Sequence, residues 1–310
     1  MTADVTAALV PRDYDAAAVV PAPLRTAILA WYDARGRSLP FRASRDPYEI
    51  LVSETMAQQT QISRAAEKWS GFIARFPTFE TLAAAAPADV LRAWRGLGYN
   101  RRAINLRRTA IAVVEEHGGR LPRNPAALER LPGIGPYTAR AVAAIAFATP
   151  VGAVDTNVRR VLSRIAGCDG AIPQRPLQAL ADAVVPPDRA ADWTHAVMDV
   201  GATFCRSHRP ACDPCPARAW CRFDAASHAD AWPRAARHTP QPRFATTSRW
   251  LRGRILQRLT GAPGDEWCHV DAPLCDHDES AVAAALTALA RDGLVELDAT
   301  RPRRARLPVG

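Results

Sequence analysis

The chain is expected to be all-α over most of its length, on three observations. Hydrophobic residues make up 48% of it, alanine is abundant and β-branched runs are few, a composition that favours helix over strand. Segments with apolar residues at helical spacing follow one another, most of them opened by a proline or a capping side chain. The intervals between them are short and carry glycine or proline, as in Gly96-Leu97-Gly98 and Gly118-Gly119, so the helices should pack into a bundle. At 310 residues the chain has room for about two or three structural units.

Residues 1–21 have no clear period and read as a loose arm. Pro23 opens an amphipathic helix through Arg35, with Leu24, Ile28, Ala30 and Trp31 on its apolar face and Gly36 as its stop. Asp46 before Pro47 is a capping pair that starts a helix running through Glu54 to about Gln61. Further helices are signalled by Thr78, Pro87 to Trp94, Asn100 to His117, Asn124-Pro125 to Leu131 and Pro136 to Ala148. A second helical set runs from Thr156 to about Cys205, followed by a cysteine loop to Cys221, the whole body spanning residues 22–223. Residues 224–248, rich in alanine, histidine, proline and arginine, read as a linker. Residues 249–310 contain two helical stretches, Ser248 to Leu259 and Asp278 to Asp292, and a short alternating run, Leu294 to Leu297. A small winged-helix-like unit fits that order, and a tail packed on the main body fits it equally.

A net charge of +9 favours a polyanionic partner, since basic side chains on phosphates release condensed counterions. Lys68 is the only lysine. Met1 to Pro21 lacks the basic start and apolar core of a signal peptide, and the apolar run Ala141 to Val154 is too short to span a bilayer. The expected location is the cytoplasm, near the nucleoid, with no membrane partner. Cysteines there persist as thiols or metal ligands.

Four of the seven cysteines, Cys205, Cys212, Cys215 and Cys221, form C-x6-C-x2-C-x5-C at the end of a helical segment. Four thiolates suit a [4Fe–4S] cluster or tetrahedral zinc, but zinc sites usually pair two close C-x2-C knuckles and only one exists here. Arg206, His208, Arg209 and Arg218 make the loop basic, as phosphate binding or simple solvation of a surface loop would require.

Leu131-Pro132-Gly133-Ile134-Gly135-Pro136-Tyr137 joins two helical segments. Gly133 and Gly135 allow backbone N–H groups to approach a phosphate, and the following helix points its positive end at the same anion. This is how a helix-hairpin-helix holds DNA without reading bases. A dinucleotide fingerprint fails on context, because the turn follows a helix rather than a strand and Thr138 stands where the third glycine belongs. Asp155, at the head of the next helix, is by itself an N-cap. Glu54 lies among Ile50, Leu51, Val52 and Met56; burial there would raise its pKa and keep it protonated, as a general acid requires.

Hairpin, Asp155 and cysteine loop occur in the order and at the spacing of the endonuclease III and MutY superfamily of iron–sulfur DNA glycosylases, which the chain resembles over residues 22–223. The segment Ser53-Glu54-Thr55-Met56-Ala57-Gln58-Gln59-Thr60-Gln61 resembles the MutY segment that carries the catalytic glutamate. The resemblance implies a helix-hairpin-helix fold with two helical subdomains and a [4Fe–4S] cluster on the four cysteines. It also implies a monomer acting on double-stranded DNA that contains an adenine mismatch. In it, Glu54 protonates the flipped adenine and Asp155 stabilises charge at the sugar. Phe41, Arg42, His195 and Tyr137 would line the adenine pocket. Gln59 and Tyr99 would wedge into the base stack, with Thr60 and Leu97 beside the opposing guanine or 8-oxoguanine, and Gly133, Gly135, Arg206 and Arg209 on the DNA backbone.

Tyr137 stands where bifunctional relatives carry a Schiff-base lysine, so a monofunctional hydrolase follows. The chain departs from the family pattern at Phe41 for tryptophan, Ala57 for leucine and His195 for glutamine or glutamate, and residues 249–310 are too short for a MutT-like domain. A thymine or uracil mismatch glycosylase on the same scaffold, or a non-catalytic iron–sulfur DNA-binding protein, are the competing readings. The second does not require both carboxylates.

Overall fold

A computed structural model of the chain describes residues 15–168, 172–224, 243–264 and 266–309. Among these residues the only sheet is a three-stranded one near the C-terminus, and the rest is helices and connecting turns. The helices are α1 (Ala16–Val19), α2 (Ala22–Arg35), α3 (Pro47–Ala57), α4 (Ile62–Arg75), α5 (Phe79–Ala84), α6 (Pro87–Ala93) and α7 (Arg101–His117). They continue with α8 (Pro125–Leu128), α9 (Pro136–Phe147), α10 (Thr156–Ile165), α11 (Gln174–Ala183), α12 (Ala190–Thr203), α13 (Ser248–Gly261) and α14 (Glu279–Arg291). The chain forms two compact units: Met1–Ile50, Arg123–Ala126 and Gly135–Arg237 in the first; Leu51–Pro122, Ala127–Ile134 and His238–Gly310 in the second.

The first unit is built around α2, α10, α11 and α12. Leu24 and Ile28 of α2, Val161 and Leu162 of α10, Leu177 of α11 and Trp193, Val197 and Val200 of α12 share one core. The expected arm is ordered from Asp15, whose side chain caps α1, and sends Val19 and Val20 into that core. A single helical turn carries too few residues to show a period, which is why the pattern missed it. Gly201 lets α12 approach α10 closely: a Cβ there would lie 2.6 Å from the Cβ of Asn157. Residues 1–14 lie outside the described residues, as does most of the expected linker.

The second unit centres on Trp94, Phe72, Leu82 and Leu91, all fully buried, with Phe72 edge-on to Trp94 at 5.8 Å between ring centroids. α3 stops at Ala57, four residues before the expected end, because Gln59 adopts φ 52°, a left-handed conformation that no helix continues through. α4 has no side-chain cap at Gln61 and so gave no start signal. At the C-terminus, α13 and α14 accompany β1 (Cys268–His269), β2 (Glu296–Leu297) and β3 (Arg304–Arg306), antiparallel in the order β1-β3-β2. The order of elements is helix, strand, helix and hairpin. This segment packs on the helical body of the unit, through Ala88 N–H donating to the Pro308 carbonyl at 3.0 Å and Arg92 donating to the Gly264 carbonyl.

Candidate active site and DNA-facing loops

In the first unit, Phe41 and Arg42 sit on a short 3₁₀ turn, Pro40–Arg42, started by proline. The Arg42 guanidinium grips Asp199 with both terminal nitrogens at 2.7 Å, a bidentate pair. Arg37 adds its Nε at 2.6 Å and its backbone N–H at 3.0 Å. Burial alone would raise the Asp199 carboxyl, but the hydrogen bonds from Arg42 and Arg37 outweigh it and hold the group below the usual carboxylate range. One helical turn earlier on α12, His195 is buried, its Nδ1 3.4 Å from the Tyr32 hydroxyl. Burial first, and then the positive charge of Arg42, depress the His195 ring to about 3. The Tyr137 hydroxyl reaches the Met198 sulfur at 3.9 Å. Phe41, Arg42, Tyr137 and His195 therefore all belong to this one unit.

Asp199, Arg37 and Tyr32 were not anticipated. The sequence signal was available: Asp199 stands between Val197-Met198 and Val200 in an apolar run, where a carboxylate needs a cation.

Asp155 caps α10. One oxygen accepts from the Val158 N–H at 2.7 Å and the other from the Asn157 amide at 2.9 Å, while Asn157 also accepts from Arg160 at 2.8 Å. Capping fixes the carboxylate's direction.

In the second unit, Glu54 lies on α3 between buried Ser53 and Thr55 and is itself half-buried, not sequestered as its neighbours suggested. Arg102 organises the loops that follow. Its guanidinium donates to the carbonyls of Thr55, Met56 and Gln58 at 2.7, 3.1 and 2.6 Å, to the Thr60 hydroxyl at 3.0 Å, and to the carbonyls of Leu97 and Gly98 at 3.1 and 3.0 Å. Burial brings it down to about 10, still charged at neutral pH. The Thr60 hydroxyl also donates to the Leu97 carbonyl at 3.3 Å. Gln59, Thr60, Leu97 and Tyr99 are thus on two loops tied by one arginine. Gln59 and Tyr99 hold φ of 52° and 46°, strained values for side-chain-bearing residues. Leu97 is buried and Tyr99 exposed.

Gly133 has φ +78°, and a Cβ on it would meet the Cβ of Asn105 at 2.6 Å. Thr109 of α7 donates to the Pro132 carbonyl, pinning the turn. Gly135 caps α9 and faces open space.

In the cysteine loop, Cys205, Cys215 and Cys221 pack against the core of the first unit. Cys215 N–H donates to the Cys212 carbonyl at 3.0 Å, and Cys221 N–H to that of Ala217 at 2.9 Å. Arg164 of α10 aims at the Cys205 sulfur at 3.4 Å and donates to the Arg206 carbonyl at 2.7 Å. Burial raises the thiols of Cys212, Cys215 and Cys221, that of Cys215 to about 11, and neighbouring cysteines of the set oppose ionisation further. Among the described residues no three His, Cys, Asp or Glu side chains are gathered as a metal-holding group. Four thiols on one loop are the number and kind of ligand that an iron–sulfur centre takes. Arg206 and Arg209 are exposed.

Residues 52–187 match the HhH-GPD superfamily of base excision DNA repair proteins. The chain is 41% identical over 277 residues to a protein of Mycolicibacterium smegmatis named adenine DNA glycosylase, covering 87% of this chain and 91% of that one. A protein of the same name from Mycobacterium tuberculosis is 39% identical over 76% of this chain and 78% of its own length. The human protein so named is 41% identical over 64% of this chain, which spans 39% of it. Among solved structures, a thermostable thymine-DNA glycosylase superposes with a TM-score of 0.60 at 29% identity, over 64% of this chain and 94% of that one. Endonuclease III in a complex with DNA gives 0.55 at 23%, over 64% and 92%, a likeness of fold. The chain belongs to the adenine DNA glycosylase family within the HhH-GPD superfamily of base excision repair proteins.

Proposed function

We propose that this chain is a monofunctional adenine DNA glycosylase, hydrolysing the N-glycosidic bond of adenine mispaired with 8-oxoguanine or guanine. The strongest support is the 41% identity extending over 91% of the M. smegmatis relative. The pocket chemistry agrees with it. A neutral His195 and the Arg42 guanidinium, held by Asp199, offer directional hydrogen bonds to a flat heterocycle, with Phe41 and Tyr137 as aromatic walls.

In the proposed reaction, Gln59 and Tyr99 enter the stack as adenine swings out, with Thr60 and Leu97 beside the opposing base; a mispair lowers the cost of flipping. Glu54 donates a proton to the purine ring, so the base leaves neutral. The sugar becomes oxocarbenium-like, and the fixed Asp155 carboxylate stabilises its positive charge. Water adds at the anomeric carbon and gives up a proton, which restores the Glu54 acid, and an abasic site is left. Tyr137 stands at the position of the Schiff-base lysine, and Lys68, the only lysine, lies on a different helix, α4, so the proposed reaction has no lyase step. Gly133, Gly135, Arg206 and Arg209 serve the DNA backbone. Cys205, Cys212, Cys215 and Cys221 would hold the [4Fe–4S] cluster, which would serve as a structural staple for the loop.

The assignment of the two carboxylates is tested by Glu54→Gln and Asp155→Asn. Each should lower single-turnover adenine release by at least ~100-fold while duplex affinity stays within about threefold. Turnover at the parent rate in both variants would overturn the mechanism. The 29% likeness to a thymine-DNA glycosylase makes thymine release the second reading.

A further inference from the structure

Tyr99 is stacked by an arginine from the C-terminal part of the chain. The Arg249 guanidinium carbon lies 4.0 Å from the Tyr99 ring centroid, with Arg102 at 5.7 Å and Phe244 within 5.9 Å of Arg249. Phe244 is 61% exposed. No carboxylate among the described residues pairs with Arg249.

Its position on α13 runs against helix electrostatics. Arg249 is in the first turn, which holds no acidic residue, where the helix dipole repels a cation. The turn is nevertheless firmly built. Thr247 caps it by accepting from the Trp250 N–H, Trp250 stacks on His277 at 5.6 Å, and His277 Nε2 bonds the Ala245 carbonyl at 2.9 Å. An unpaired guanidinium and a helix N-terminus held together beside an exposed aromatic form a cationic spot that an anion would complete.

We propose that Arg249 is a DNA-phosphate contact supplied by the C-terminal segment: it rests on the Tyr99 ring in the free chain and passes to a neighbouring phosphate when that ring enters the base stack, which rests on the reading of Tyr99 as the residue that enters the duplex. The C-terminal segment thereby becomes part of the DNA-binding surface, and a duplex phosphate next to the wedged step is the ligand.

The test uses the full chain and a duplex carrying 2′-fluoro-adenosine, which resists cleavage, opposite 8-oxoguanine. Affinity is measured against salt for the parent, Arg249→Ala, Arg249→Lys and Arg254→Ala. Arg254 stands five residues further along α13, about 140° around the helix, over Trp250. Arg249→Ala should lose about one from the slope of log affinity against log salt and weaken binding on the order of tenfold. Arg249→Lys should keep the slope and Arg254→Ala the parent behaviour. A parent slope in Arg249→Ala, or an equal loss in Arg254→Ala, overturns the proposal. A parallel unmodified duplex separates the two readings, because a parent chain that releases no adenine refutes the proposed function whatever Arg249 does.

Discussion

Burial and the neighbouring Arg42 charge keep the His195 ring neutral down to about pH 3, whereas in the unfolded chain it takes up a proton near the ordinary histidine value of about 6.5. Between those values the unfolded state binds more protons than the folded one, so stability rises with pH across the window and is lost as pH falls. Above the unfolded value the group contributes no pH dependence. Between pH 7 and pH 5 the chain should therefore lose about 2 kcal/mol more than a His195→Gln variant, read from urea unfolding at both values. Equal losses would show that the ring is not the acid-sensitive group. At this scale the sequence was informative for type and poor for partners. Motif position proposes His195 and Arg42 for the pocket, but the carboxylate that holds Arg42 lies 157 residues away in sequence and no local pattern joins them. Asp155 was legible as a cap, and it is one.

The elements of the hairpin can be tested separately, because its two glycines do different work. Gly133 must adopt φ +78° within reach of Asn105, whereas Gly135 has an ordinary φ of −92° and open space where a Cβ would be. Gly133→Ala should therefore destabilise the fold by about 1–3 kcal/mol. Gly135→Ala should cost under about 1 kcal/mol, as a change of N-cap, yet still weaken DNA binding by placing a methyl where phosphate approaches. Thermal unfolding and duplex affinity for both variants distinguish these roles; equal unfolding losses would contradict them. Helix starts marked by proline or a capping side chain were legible, as with α2, α3 and α9. Ends set by backbone strain were not: α3 stops early, at Ala57, because the loop tied by Arg102 imposes a left-handed turn at Gln59, a tertiary demand that overrides local helix preference.

On the scale of the whole molecule, a chain with a net charge of +9 folds into two helical units, and a C-terminal segment adds a small sheet to the second. The family was legible because several separate motifs agree in order and spacing. The packing of residues 249–310 was not, since two-residue strands such as Cys268–His269 carry no period. Single-turnover assays distinguish release of adenine without strand scission from every competing reaction. The duplexes hold adenine opposite 8-oxoguanine or guanine, beside thymine and uracil opposite guanine, and are scored with and without alkali. Adenine should be released from the first pair only, with strand breaks that require alkali. Thymine or uracil release in its place, or breaks without alkali, would contradict the proposed function.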